Sequence, residues 1–116
     1  MSGSNRARGI YGETLVARWY EQRGYVVIER NWRDGRRGEI DLVLGRSDGL
    51  VVFCEVKARA SEAFGHPFDA ITPAKLTRLR RLAGAWIAAH PGKARSFRLD
   101  AAAVLGSSVE VRHDIG

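Results

Sequence analysis

A chain of 116 residues is long enough for one compact domain with a modest core and too short for two. With 45% hydrophobic and 28% charged residues it has a globular composition, which excludes the disordered, collagen-like and membrane-spanning classes; no apolar run approaches the ~18 residues of a membrane span. Nineteen Lys and Arg against thirteen Asp and Glu leave a formal charge of +6 and a pI near 10.2, so the surface should attract polyanions, and nucleic acid is the first partner to consider. The one cysteine, Cys54, has no internal disulfide partner, and no charged-then-apolar leader stands among residues 1–12. A reducing cytoplasm is therefore the expected compartment.

Residues 1–12, MSGSNRARGIYG, mix Gly, Ser and Arg without periodicity and read as a mobile basic arm ahead of a single domain over residues 13–116. From Glu13 to Arg23 the apolar Leu15, Val16, Trp19 and Tyr20 recur at three- and four-residue spacing. That is one stripe of an amphipathic helix, stopped by Gly24. Tyr25–Glu29 is aromatic and β-branched, hence a strand, and the polar NWRDGRRG that follows reads as a loop.

Glu39–Gly45 alternates acid and aliphatic, and Leu50–Ala58 is the strongest strand pattern in the chain. Ser47-Asp48-Gly49 between them makes the two a hairpin. Arg59–Thr72 lacks periodicity and reads as a loop. Thr72-Pro73 then caps a second amphipathic helix, carried by Leu76, Leu79, Ala83, Trp86 and Ile87 and ending near His90-Pro91-Gly92. Phe97–Leu105 and Val109–Arg112 close the chain as two strands. The order of helix, three strands, helix and two strands predicts an α/β layered domain with a mixed sheet.

The hairpin holds the chemistry. If Ser47-Asp48-Gly49 is a three-residue loop with Gly49 in the left-handed region, residues whose numbers sum to 96 face one another, pairing Asp41 with Glu55 and Glu39 with Lys57. All four then emerge on one side of the sheet. Like charges so opposed destabilise a sheet, so something positive should sit between Asp41 and Glu55. Two facing carboxylates suit Mg²⁺, which completes its shell with water and phosphate oxygens, can polarise a phosphoryl group and can generate a nucleophile from water. Lys57 would orient that water or neutralise developing charge. The plainer alternative is an ordinary charged face, with Glu39 pairing Lys57 and Asp41 pairing an arginine. Spacing alone does not choose between them, and a one-residue slip would turn Asp41 to the other face.

GEID followed by FCEVKAR is similar to the D…E-x-K signature of the PD-(D/E)XK nuclease superfamily. The blocks GETLVARWYEQRGY, NWRDGRRGEIDLV, FCEVKAR, FGHPFDAITPAK and FRLDAAAV resemble, in order, those of the YraN-like family of small bacterial proteins regarded as endonucleases, over roughly Gly12 to Val104. The resemblance implies a restriction-endonuclease-like mixed sheet flanked by helices. It implies metal ligation by Asp41 and Glu55, with the Val56 carbonyl as third ligand, and Lys57 as the catalytic lysine. Glu13 matches the helix-borne acid that supports the metal in Holliday-junction resolvase-like members; otherwise it is a favourable acid in a first helical turn. Ile40 stands where a proline often precedes the aspartate. Asp100 falls in a family block, where a structural partner for an arginine is as good a reading as catalysis. By analogy with resolvases a homodimer is expected.

Arg33, Arg36 and Arg37 lead into the acidic strand, and Lys75, Arg78 and Arg81 line one face of the second helix. Either group could hold phosphates in a sequence-independent way, or form a solvated charged face. Arg33, Arg36, Arg37, Lys75 and Arg78 are the candidates for nucleic-acid contact. His66, His90 and His113 have no zinc spacing, and His66 either approaches the site or is simply exposed. Cys54 points away from Glu55 as a small core residue, while Trp32 either stacks on a base or covers the sheet edge. The expected function is a Mg²⁺-dependent (or Mn²⁺-dependent) endonuclease acting on structured DNA or without sequence preference. The rivals are a non-cutting nucleic-acid-binding module and an RNA-directed nuclease.

Overall fold

The computed structural model describes residues 2–63 and 65–116, with side chains from residue 6 onward. The elements in chain order are α1 (Ser2–Glu21), β1 (Val26–Arg33), β2 (Glu39–Gly45), β3 (Leu50–Arg59), a 3-10 turn (Pro67–Ala70), α2 (Pro73–Ala89), β4 (Ser96–Leu105) and β5 (Ser108–Arg112). They form one five-stranded sheet in the order β1-β2-β3-β4-β5, antiparallel except for the parallel β3–β4 pair that α2 connects. This is the mixed sheet flanked by two helices that the element order predicts, and it is compatible with the restriction-endonuclease-like fold. Among the described residues no helix is long and apolar enough to cross a membrane.

Alternation along the strands divides the core between the two faces. Leu42, Leu44, Val52, Cys54 and Val56 pack with Val16, Ala17 and Tyr20 of α1. Val43, Val51 and Phe53 pack on the other face with Leu79, Leu82, Ala83 and Trp86 of α2. Ile40 joins Val43 on the α2 side although the two are an odd number of residues apart. The pleat of β2 is therefore interrupted between them, at Asp41.

Three expectations need correction. The first helix begins at Ser2, not Glu13, so residues 2–12 of the expected arm are helical, while Met1 lies outside the described residues. This stretch escaped periodicity because most of residues 6–11 face solvent, and because a tight approach to the sheet, at Gly12, is made by a missing side chain. A Cβ on Gly12 would stand 2.9 Å from the Ala58 Cβ, so α1 meets the sheet as closely as glycine permits. The helix ends as expected, with Gly24 at φ +88 and the Tyr25 amide donating to the Tyr20 carbonyl at 3.1 Å.

Second, β1 runs to Arg33 through the first three residues of the expected loop, pairing Trp32 with Ile40 and Arg33 with Glu39. The turn shrinks to residues 34–38, closed by the Asp34 amide on the Gly38 carbonyl at 3.0 Å. Trp32 packs partly buried against the α2-side core, a cross-strand burial that a polar run of neighbours conceals. Third, the loop before α2 contains the Pro67–Ala70 turn. There the His66 Nδ1 accepts the Phe68 amide at 3.1 Å and the Asp69 carboxylate accepts the His66 amide at 3.1 Å. His66 is thus a cap rather than a site residue or a free surface histidine.

Candidate active site

The hairpin turn sets the register. The Arg46 amide donates to the Leu50 carbonyl at 2.9 Å, enclosing Ser47-Asp48-Gly49 with Gly49 at φ +90, and the ladder runs Gly45↔Val51, Leu44↔Val52, Val43↔Phe53 and Leu42↔Cys54. Each pair sums to 96. The ladder stops one step short of Asp41. There the Asp41 Oδ2 accepts the Val56 amide at 2.8 Å, so a side-chain oxygen stands where a strand carbonyl would.

Asp41, Glu55 and Lys57 line one cleft of about 430 Å³, with Glu13, Arg33 and Arg78 at its walls. Burial and then the neighbouring Glu55 carboxylate push the Asp41 pKa well above the usual carboxylate range, and the Val56 amide offsets only part of this. Glu55 is 7% exposed and has Arg78 at 3.6 Å. Asp41 has no cationic side chain within ion-pair distance among the described residues, and neither does Lys57 have a carboxylate. The alternative in which Glu39 pairs Lys57 and Asp41 pairs an arginine is not what forms: Glu39 pairs Arg33 at 3.3 Å.

The donor set fits a hard divalent cation. Two carboxylates crowd together, Glu55 buried with Arg78 beside it and Asp41 partly buried without a cation of its own, and a cation between them would relieve both. Among the described residues no cluster of three or more His, Cys, Asp and Glu side chains could hold a metal by itself. An ion here would therefore take the rest of its shell from water, from a backbone carbonyl such as that of Val56, or from phosphate oxygens, as Mg²⁺ does.

Glu13 reaches the cleft from α1. Burial raises its pKa, offset in part by the Asn31 amide group at 3.1 Å and by Arg30 at 3.6 Å. Asn31 adopts a left-handed φ of +53, uncommon outside glycine and tolerated best by Asn and Asp. Neither Arg30 nor Asn31 was singled out from the sequence, because both fall where β1 was expected to have ended. An Asn within a strand-like run was the available signal.

Of the nucleic-acid candidates, Arg33 and Arg78 stand in the cleft wall. Arg36 is exposed on the turn, and Arg37 sits 3.8 Å from Asp34. Lys75 donates from Nζ to the Ala70 carbonyl at 2.8 Å and lies beside Lys57. Burial and then the Lys57 ammonium lower its pKa. Two ammonium groups thus stand together at the edge of the cleft. Asp100 is fully buried and held by Arg98 through both oxygens (2.8 and 2.9 Å), by the Tyr20 hydroxyl (2.6 Å) and by His113 (2.7 Å), so it is the structural arginine partner. Cys54 is buried on the α1 face, and burial pushes its thiol up, away from nucleophilic use. Trp32 packs on the core rather than standing free for a base.

Every residue of the cleft, from Glu13 to Arg78, falls within residues 12–104, the segment matching the family described as uncharacterised protein family UPF0102. The chain belongs to UPF0102. The YraN-like resemblance is to this family, over the span its blocks delimit. The chain is similar to the UPF0102 protein of Beutenbergia cavernae, 54% identical over 99 residues that cover 85% of this chain and 82% of the relative. It is similar also to that of Streptomyces coelicolor, 58% identical over 86 residues covering 74% and 65%. With that of Leifsonia xyli it shares 44% identity over 108 residues, 90% of each chain. UPF0102 carries no activity in its description, so the chemistry rests on the cleft.

Proposed function

We propose that this UPF0102 protein is a metal-dependent endonuclease that hydrolyses phosphodiester bonds in DNA, directed by structure or without sequence preference. The observation that carries the reading is the Asp41 carboxylate. It is partly buried, pressed against Glu55, without a cationic side chain of its own among the described residues, and open to a cleft that also presents Lys57. A carboxylate pair in that state is suited to a divalent cation.

Asp41 and Glu55 would hold Mg²⁺ or Mn²⁺, with the Val56 carbonyl as the third protein ligand and Glu13 supporting from α1. When bound, the ion supplies a Lewis acid for the phosphoryl oxygen and a water of lowered pKa. Val56 fixes the Asp41 carboxylate through its amide, leaving the other carboxylate oxygen for the cleft. Lys57, unpaired with any described carboxylate, would orient the attacking water and offset charge on the phosphorane; Lys75 beside it keeps the local potential positive. Arg33, Arg36, Arg37 and Arg78 would hold the flanking phosphates. Arg78 also balances Glu55, so its contact with phosphate competes with that pair.

A panel of linear, branched and single-stranded DNA and of RNA, each with Mg²⁺, Mn²⁺ or EDTA, tests this reading. Wild-type protein is expected to cut DNA only with metal, and Asp41→Asn to abolish cutting while binding survives. Binding without cutting on every substrate would leave a nucleic-acid-binding module. Cutting of RNA alone would redirect the substrate.

A further inference from the structure

The N-terminal half of α1 stands as a ridge between two grooves that both open on the cleft. On one side, a hollow of about 340 Å³ is lined by Arg8, Gly9, Lys57 and Arg59, and a neighbouring one of about 590 Å³ by Arg8, Tyr11, Arg59 and Gly106. On the other, a hollow of about 620 Å³ is lined by Arg6, Gly9, Ile10, Glu13, Asn31 and Arg33. Helical spacing explains the division: residues 7, 8 and 11 share one face, and residues 6, 9, 10 and 13 the other.

Gly9 is common to both sides. It sits within a helix, where glycine is disfavoured by about 1 kcal/mol relative to alanine, and yet nothing lies within 4 Å of where its Cβ would be. No packing contact calls for glycine there. What its bare backbone does is keep the ridge low between the two grooves.

The ridge is basic; the carboxylates beside it, Glu13 and Glu39, line the Arg6 side and are taken by Arg30 and Arg33. Arg6, Arg8 and Arg59 make no ion pair with a carboxylate among the described residues. Tyr11 is 51% exposed and shares its groove with the Arg8 and Arg59 side chains. An exposed aromatic ring flanked by guanidinium groups is a platform for an unpaired base with its phosphates held on either side, a pattern that accepts any base.

We infer that a single-stranded segment of nucleic acid crosses α1 at Gly9, stacking a base on Tyr11 and placing its phosphates on Arg8 and Arg59 as it leaves the cleft. The path rests on the cleft being the place where the phosphodiester is presented. It deepens that reading by making unpaired DNA the preferred substrate class. Arg6 would meet the strand on the far side of the ridge.

The test is binding in the uncut state, with the Asp41→Asn protein in EDTA and a fluorescent oligothymidine compared with a blunt duplex of equal length. Tighter binding of the single strand is expected. Tyr11→Ala should weaken it by roughly tenfold and leave the duplex nearly unchanged. Arg8→Gln should lower the slope of log affinity against log salt by about 0.7, the value for one lost phosphate contact on a single strand. Gly9→Phe, whose Cβ meets nothing within 4 Å, should keep the unfolding midpoint and block the single strand. Equal affinity for both ligands would overturn the inference, as would indifference to Tyr11→Ala and Gly9→Phe, or a change of oligomeric state with no change in binding. If the variants behave as expected while the unsubstituted protein cuts nothing, the strand path stands and the catalytic reading falls. If the protein cuts and the variants are silent, the reverse holds.

Discussion

Asp41 and Val56 are joined by a bond that replaces a rung of the sheet: the carboxylate oxygen takes the amide at 2.8 Å, just past the last β2–β3 pair. The bond fixes one oxygen and leaves the carboxyl group beside Glu55, where burial and repulsion hold its proton on.

That raised pKa has a defined sign for stability. Asp41 is more easily deprotonated in the unfolded chain than in the folded one. Its contribution is therefore fully present below the ordinary carboxylate value near ~4 and is lost as pH rises from there through the elevated folded value, by up to ~1.4 kcal/mol per pH unit. In EDTA, urea midpoints should fall more steeply with rising pH for the wild type than for Asp41→Asn, and the variant should be the more stable at neutral pH. Parallel pH profiles would show that Asp41 ionises freely.

A divalent cation should reverse that penalty. Binding only the folded chain, Mg²⁺ or Mn²⁺ at about a hundred times its dissociation constant adds ~2.7 kcal/mol of stability. Thermal unfolding with increasing metal should show a rising midpoint in the wild type and none in Asp41→Asn or Glu55→Gln. An equal rise in all three would place the ion elsewhere.

Asp100 should behave oppositely. Burial raises its pKa, but bonds from Arg98, Tyr20 and His113 outweigh it and the net shift is downward. Its stability contribution is present above the ordinary carboxylate value and lost as pH falls through the folded one. Asp100→Ala would leave the Tyr20 hydroxyl without its acceptor and Arg98 without its carboxylate, keeping the Tyr25 hydroxyl at 3.1 Å, and should cost about 3–5 kcal/mol in denaturant midpoint analysis, whereas Tyr20→Phe should cost about 1.5–3 kcal/mol.

Two glycines of α1 should respond in opposite directions. Gly12→Val would drive a side chain into Ala58 and should destabilise by about 1–3 kcal/mol. Gly9→Ala has open space and should stabilise by up to ~1 kcal/mol. Equal midpoint shifts for the two variants would mean that α1 does not bear on the sheet at Gly12.

The hairpin was legible because its turn chemistry is explicit. Ser47-Asp48-Gly49 permits one register, and from it Asp41, Glu55 and Lys57 are placed on one cleft. What surrounds them was not legible, for particular reasons. Trp32 and Arg33 belong to a strand whose neighbours in sequence are nearly all polar. Asn31 and Arg30 act on Glu13 across eighteen and seventeen residues of chain, a pairing that no local pattern encodes. Residues 6–12 continue the helix without an apolar stripe because the close approach to the sheet there is made by a glycine, Gly12.

The parallel pairing of β3 with β4 joins residues some forty-six apart, as in Leu50↔Ser96, while Leu42↔Cys54 is closed by a short loop. Local closure costs less chain entropy and forms sooner. A folding chain therefore brings the two acids near one another before α2 delivers Arg78 to Glu55. The nascent hairpin meets its worst repulsion early, and dissolved divalent ions or mild acidity should speed refolding as well as steady the finished protein.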